Sequence, residues 1–191
     1  MFDDYYSFHP TIQLSESICV TGFFGTPVPQ TIRFVQALSG VPVIDLERLI
    51  EHRIGERIAH YLLKHHIDDL FLVEHQILQQ LNEQPSLIIL RPSTLRFRRN
   101  FDLLQGFKGL SLIQSVEQLA LQLDAVHQDG RFERFIDIDG RLPISNERLQ
   151  AEVVVWKRYL PSAWVRYTPM TIAPSGIAGE ILTVLQKQFI K

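Results

Sequence analysis

The chain has little cysteine and no long apolar run, and these absences exclude several classes of protein. Its 191 residues include a single cysteine, Cys19, which excludes a disulfide framework and indicates a reducing compartment. The apolar runs fall short of the roughly 20 residues that cross a bilayer. The first residues, Met1-Phe-Asp-Asp4, are acidic where a signal peptide is basic. We therefore expect a soluble, cytoplasmic protein without a membrane partner.

The sequence also lacks an excess of charge of one sign. The formal net charge is -2, which argues against a nucleic-acid partner because such proteins present a basic field. The hydrophobic fraction of 46% suits a folded core rather than a disordered chain. We expect residues 16–191 to form one domain, preceded by an aromatic-rich N-terminal extension at 1–15.

Short apolar segments alternate with segments of helical periodicity along the chain. The pattern predicts strands at 18–21, 41–44, 87–90, 110–113 and 165–167, and helices at 30–38, 46–62, 68–81, 116–123, 146–159 and 175–185. Asp45, Asp68 or Asp69, and Ser175 are the expected helix N-caps. The polar stretch 128–143 is a predicted flap or lid. This alternation predicts a three-layer α/β/α fold with a mostly parallel five-stranded sheet, whose ligands bind at the carboxyl ends of the strands.

The turn after the first predicted strand is glycine-rich and precedes a helix, as in a phosphate-binding P-loop. Its residues are Gly22, Gly25, Thr26, Pro27, Val28 and Pro29. In the pattern G-x-x-x-x-G-K-[ST], counted from Gly22, Pro27 replaces the second glycine, Val28 the lysine and Pro29 the hydroxyl residue. Proline offers no N–H and valine no charge, so the sequence predicts a degenerate P-loop and doubtful nucleotide binding.

The first third of the chain resembles the shikimate kinases, which are P-loop kinases of the nucleoside-monophosphate-kinase type. Gly22-Phe-Phe-Gly25 is similar to their G-F-M-G, Ile44-Asp45-Leu46 to their F-I-D-L-D, and His52-Arg53-Ile54-Gly55 to their R-R-x-G. Phe71 suits their F-R-x-x-E segment. The resemblance implies a P-loop kinase-like fold and an ATP- and Mg²⁺-dependent phosphotransferase acting on shikimate.

The departures from this family fall on positions that the resemblance identifies as functional. The P-loop lysine and serine are Val28 and Pro29, and the arginine that grips the shikimate carboxylate is Leu72. The G-G-G turn falls on Arg91-Pro92-Ser93, the second aspartate of D-L-D on Glu47, and the late substrate arginine near Val155 or Trp156. Asp45 is retained, and Arg141 in the predicted flap is the candidate for the flap arginine.

Each of the remaining candidate residues has a structural interpretation beside the functional one. Asp45 could hold Mg²⁺ through water or cap the following helix, and we expect no resident metal. Glu47 could bind a polyol hydroxyl, or it could stabilise the following helix by interacting with the positive end of the helix dipole. The basic cluster is a candidate anion site or a solvated face, and it consists of Arg91, Arg96, Arg98 and Arg99. His60, His65, His66 and His75 have no standard metal-ligand spacing and are predicted to lie on the surface.

Two functions remain open. In the first, the protein has lost ATP-dependent kinase activity, needs no cofactor, and acts as a binding or interaction module for which a protein is the candidate partner. In the second, it is an active shikimate-type kinase that uses ATP and Mg²⁺, with a phosphate site rebuilt around Arg91 or Arg141. A ligand-binding regulator that retains the sugar-acid pocket is a third hypothesis, and Leu72 argues against it.

Overall fold

The computed structural model describes residues 12–81, 84–128 and 146–190. Residues 1–11 of the predicted extension, nearly all of the predicted flap, and Arg141 lie outside the described residues. Within the described part of the chain, no helix is long and apolar enough to cross a membrane.

The five predicted strands form one sheet in which every pair is parallel. The strands are β1 (Ile18–Gly22), β2 (Val43–Asp45), β3 (Leu87–Ile89), β4 (Lys108–Leu112) and β5 (Val165–Tyr167), in the order β2-β3-β1-β4-β5. In this register Val20 pairs with Ile89 of β3, and Gly22 pairs with Leu112 of β4. The carboxyl ends of β3, β1 and β4 therefore lie side by side.

Helices connect the strands and cover both faces of the sheet. They are α1 (Val28–Ser39), α2 (Leu46–Ile54), α3 (Ile58–Leu62), α4 (Ile67–Leu78), α5 (Arg98–Leu104), α6 (Val116–Gln128), α7 (Asn146–Arg158) and α8 (Pro174–Gln188), with a 3₁₀ turn at Thr94–Arg96. The periodicity predicted all of them except α5 and the 3₁₀ turn, but the segment predicted as one helix at 46–62 is divided into α2 and α3, because Gly55 ends α2 with a φ of 78°. In α5 only Asn100 and Leu104 are buried, so this short helix lacks the apolar period on which the prediction depends.

The helix caps agree with the prediction at α2 and differ at two other helices. Asp45 caps α2, since its Oδ1 accepts the Arg48 N–H at 3.4 Å. At α4 the cap is His66 rather than Asp68 or Asp69. Its Nδ1 accepts the Asp68 N–H at 3.4 Å, and the Asp69 carboxylate accepts the His66 N–H at 3.2 Å, which makes a reciprocal capping box.

The predicted Ser175 cap of α8 is wrong. Pro174 is the first residue of that helix, and Ala173 before it makes no side-chain cap. Proline suits this position because its missing N–H would have no partner inside the helix and its φ is already helical.

Alternating residues of the central strands fill two apolar layers. Cys19 points to the layer that contains residues of α2, α4, α6 and α7, whereas Ile18 and Val20 point to the layer that contains residues of α1 and α8. Burial raises the pKa of the Cys19 thiol well above its usual range, so this side chain behaves as a small apolar core residue.

Candidate functional site

In the loop between β1 and α1, backbone N–H groups donate hydrogen bonds to carbonyls of the same loop. The Thr26 N–H donates to the Phe23 carbonyl at 2.9 Å, and the Val28 N–H donates to the Thr26 carbonyl at 2.8 Å. The second bond closes a turn around Pro27, whose φ of -79° and ψ of 49° are near the inverse γ-turn. Pro27 and Pro29 contribute no N–H. The four residues from Thr26 to Pro29 therefore direct no free amide hydrogen at a ligand.

Side chains of the same loop fill the space over Gly22. A Cβ at Gly22 would lie 2.7 Å from the Thr26 Cβ and 2.8 Å from the Val28 Cγ2. Val28 is only 4% exposed and packs in the apolar layer of α1 and α8. At the position that the P-loop pattern gives to lysine, the chain thus has a core residue. Gly25 is the residue of the loop that adopts a positive φ, at 88°.

An aromatic cluster closes the side of the loop that faces α7. Phe23 is buried, with its ring centroid 5.6 Å from that of Phe24 and 5.8 Å from that of Trp156, both in edge-to-face geometry. Trp156 on α7 is 1% exposed and donates its indole N–H to the Pro92 carbonyl at 3.1 Å. The tryptophan therefore joins α7, the loop after β1 and the segment after β3.

Trp156 and Pro92 are two of the positions where the resemblance expects substrate contacts. The fold brings them into direct contact, and neither carries the residue type expected there. Val155, the other candidate position for the substrate arginine, is 39% exposed.

A buried polar network lies behind the segment that follows β3. Glu74 of α4 has no exposed surface, and its carboxylate accepts hydrogen bonds from the Thr94 hydroxyl at 2.6 Å and the Asn100 amide at 3.1 Å. The Arg91 guanidinium lies 4.0 Å from the same carboxylate and is itself buried. His75 Nδ1 is 3.0 Å from Asn100 Oδ1. This network anchors the carboxyl end of β3 to α4 and α5.

Sequence reasoning did not single out Glu74. Counted from Phe71, the F-R-x-x-E segment has its glutamate at His75, so Glu74 lies one residue before that position and the pattern does not mark it. The pairing of Glu74 with Arg91 joins two segments of the chain and leaves no local pattern.

The four arginines of the predicted anion site do not share one environment. Arg91 is buried beside Glu74, whereas Arg96 bonds Glu152 of α7 at 3.4 Å. Arg98 pairs with Asp102 at 3.0 Å on the exposed face of α5, and Arg99 is also exposed. Three of the four thus have acidic neighbours within the protein.

The candidate metal residue Asp45 makes contacts within the protein. Asp45, besides capping α2, has its Oδ2 at 3.6 Å from Arg33 Nη2 and 3.7 Å from Arg48 Nε. Glu47 lies in the first turn of α2. Across the described residues, no group of three or more histidine, cysteine, aspartate or glutamate side chains could hold a metal ion.

The four histidines considered as metal ligands lie in different environments. His66 caps α4, the His65 ring stacks on Tyr61 at 4.2 Å, and His75 belongs to the Glu74 network. His60 is exposed on α3. His60, His65 and His66 are exposed, whereas the predicted surface position is wrong for His75, which is half-buried beside Asn100.

Comparison with known proteins places this geometry in a known fold. No protein-family model and no curated protein matches the chain. Among solved structures, the shikimate kinase from Acinetobacter baumannii in complex with shikimate superposes with a TM-score of 0.72 and 18% identity, over 95% of this chain and 97% of that one. The chain has the fold of the shikimate kinases.

Two further structures support the same conclusion. The shikimate kinase from Bacteroides thetaiotaomicron gives a TM-score of 0.66 at 17% identity, over 90% of this chain and 96% of that one. The gluconokinase from Sinorhizobium meliloti 1021 gives 0.54 at 17% identity, over 92% and 94% of the two chains. The predicted α/β fold with its parallel five-stranded sheet is thereby confirmed, and at these identities the likeness concerns the fold alone.

Proposed function

We propose that this protein has the shikimate-kinase fold without ATP-dependent kinase activity, and that it serves as a binding or interaction module. The observation that carries the proposal is the loop after β1, where the Thr26 and Val28 N–H groups are bonded to loop carbonyls. A phosphate-binding loop works by directing such groups, together with a lysine charge, at the phosphates.

The energetic scale of this change is large. A hydrogen bond to a charged group contributes about 1.5–3 kcal/mol, so a lost lysine and two lost N–H donors amount to roughly 4.5–9 kcal/mol if the contributions add. Even the lower value weakens nucleotide binding by about 10³-fold. Micromolar nucleotide affinity would become millimolar, and the transferred phosphoryl group would lack charge stabilisation.

The substrate side of the fold supports the same proposal. Trp156 and Phe23 pack against each other near the carboxyl ends of β1 and β3, and Leu72 stands where the resemblance expects a carboxylate-binding arginine. Leu72 is 42% exposed and offers no donor to an acid. The residues of the loop after β1 and those at the expected shikimate site thus both support a loss of kinase activity.

The second candidate function is an active kinase with a rebuilt phosphate site. Arg91 is the residue that favours it, because it lies two residues after the carboxyl end of β3, the strand next to β1. Its burial and its neighbour Glu74, 4.0 Å away, weaken this candidate, since Arg91 would have to move from that carboxylate to reach a phosphate. An Arg91→Ala variant tests it: an active kinase of this type would lose nucleotide affinity.

The deciding experiment is isothermal titration of the protein with Mg·ATP and Mg·ADP, at concentrations that detect millimolar binding. A shikimate phosphorylation assay runs beside it, with the Acinetobacter baumannii shikimate kinase as the positive control. We expect no binding in the micromolar range and no turnover. Micromolar binding, or phosphorylation at an ordinary kinase rate, would refute the proposed loss of activity and favour the second candidate.

A further inference from the structure

A groove separates the carboxyl-terminal halves of α2 and α4, on the outer surface of the domain. Its volume is about 250 Å³, and it is lined by Leu49, His52, Arg53, Ile77, Gln80 and Leu81. Its floor is apolar and consists of Leu49, Ile77 and Leu81. The Leu49 side chain is 38% exposed. This volume is below the roughly 300–1,000 Å³ of pockets that enclose a whole small molecule, so the groove is suited to one bulky side chain of a longer ligand.

The rim of this groove is basic. His52 and Arg53 are exposed in the last turn of α2, and among the described residues no acidic side chain lines the groove. Because the whole chain has a net charge of -2, this local basic character is not a general property of its surface. A carboxylate near the rim would meet the positive charge of Arg53.

A hydrogen bond across the groove holds Arg53 in place. Its Nη2 donates to Gln80 Oε1 at 3.0 Å, joining the end of α2 to the segment after α4. A guanidinium has five N–H donors in a planar fork, so this bond orients the group and leaves it able to bind a carboxylate. An arginine fixed in this way loses less conformational entropy when it binds.

We propose that the α2–α4 groove, defined by these six residues, binds an acidic segment of a partner protein that inserts one bulky apolar side chain. The apolar anchor contacts Leu49, Ile77 and Leu81, while a flanking carboxylate pairs with Arg53. Apolar anchors combined with polar contacts at the rim are the usual way in which a groove recognises a peptide. This inference rests on the proposed role as an interaction module and names its binding surface and the chemistry of its partner.

The test uses the full chain and a short peptide with acidic residues around a central Leu-Phe pair. Isothermal titration measures its affinity, and the same peptide with lysine in place of each acid is the comparison. We expect the acidic peptide to bind and the lysine peptide not to bind. Arg53→Glu is expected to weaken binding at least about tenfold, because it replaces a charge-assisted hydrogen bond with a repulsion.

Two further variants distinguish binding in the groove from nonspecific electrostatic attraction of the peptide to the protein surface. Leu49→Ala, on the floor, is expected to weaken binding without unfolding the partly exposed site. Arg158→Glu makes the same charge change on the exposed last turn of α7, outside the groove, and is expected to leave the affinity unchanged. Thermal melts of each variant confirm that folding is intact.

Several results would overturn the proposal. These are an acidic peptide that fails to bind, equal losses in the Arg53 and Arg158 variants, or preferential binding of the lysine peptide, which would assign the groove a basic partner. The nucleotide titration is independent of these outcomes. Nucleotide binding would refute the loss of kinase chemistry without affecting the groove, and failure of the peptide would refute the groove without restoring the kinase.

Discussion

The indole N–H of Trp156 donates to the carbonyl of Pro92, and this bond of 3.1 Å joins α7 to the segment after β3. The two residues are 64 positions apart in the chain. The contact places a bulky apolar side chain beside the carboxyl ends of the central strands, the region where open α/β sheets bind their ligands.

Replacing Trp156 with phenylalanine should destabilise the protein by about 1–3 kcal/mol. The change removes the bond to Pro92 and leaves a void beside Phe23, and each effect carries a cost. Urea unfolding followed by circular dichroism measures it. Val155→Ala is the matched control, since that neighbouring side chain is 39% exposed and its truncation should stay within about 0.5 kcal/mol.

Removal of Glu74 should be among the most destabilising single changes in the domain. Glu74→Ala leaves the buried Arg91 charge without this carboxylate, and breaking one side of a buried ion pair costs about 3–5 kcal/mol. The double variant Glu74→Leu/Arg91→Met should be destabilised less than the sum of the losses measured for Glu74→Leu and for Arg91→Met alone. Additive free energies of unfolding in this double-mutant cycle would show that the two groups are not coupled.

Val28→Lys should unfold the protein before it restores nucleotide binding. The side chain at this position lies in the apolar layer of α1 and α8, where an unpaired charge costs about 3–5 kcal/mol. Gln30→Lys adds the same charge at an exposed position two residues later, and it should be nearly neutral. A stable Val28→Lys variant that binds Mg·ATP tightly would contradict the packing described for this loop.

Two glycine substitutions should change stability in opposite directions. At Gly109, a Cβ would lie 2.0 Å from Trp164 Cδ2, so Gly109→Ala has to displace an indole that also bonds the Phe107 carbonyl at 3.0 Å. Overpacking of this kind costs about 1–3 kcal/mol. Gly179 in α8 has nothing within 4 Å of such a Cβ, and Gly179→Ala should stabilise by about 0.5–1 kcal/mol. Melting temperatures of the two variants compare them directly.

Tyr167 should lose its proton later than an ordinary tyrosine. The hydrogen bond from its hydroxyl to Glu180, 2.6 Å long, with desolvation and the charge of Glu180, raises the pKa of Tyr167 to about 12. Since this folded-state pKa exceeds the usual value near 10, the associated stability is complete below about pH 10 and is lost as the pH rises toward about 12. Ultraviolet titration should show the late tyrosine, and Glu180→Gln should return it toward the usual range.

Local features of the sequence predicted most of the fold because they involve neighbouring residues. The apolar runs at 18–21 and 87–90 and the cap at Asp45 are examples, and each is found in the structure. The cap at His66 was missed because histidine is not among the usual N-cap residues. The helix α5 was missed because polar arginine and asparagine residues occupy its first turn, and one buried leucine is too few to give a helical apolar period.

The candidate site was less predictable because its contacts are distant in sequence. The substitutions at Val28 and Pro29 could be recognised from the loop pattern alone. The contact of Trp156 with Pro92 and the pairing of Arg91 with Glu74 depend on how α7, α4 and β3 meet, and no periodicity encodes that. The prediction for Arg141 concerns a residue outside the described part of the chain and stays a prediction.

The packing of Thr26 and Val28 over Gly22 limits how a P-loop could be installed in this chain. A lysine returned to position 28 alone would enter an apolar layer, and an amide donor restored at position 27 alone would still lack the lysine. Each change is harmful or useless without the other, so single substitutions at this loop cannot create the P-loop pattern. An engineered phosphate site would need the side chains of Thr26 and Val28 to be repacked together with the new lysine and amide donor.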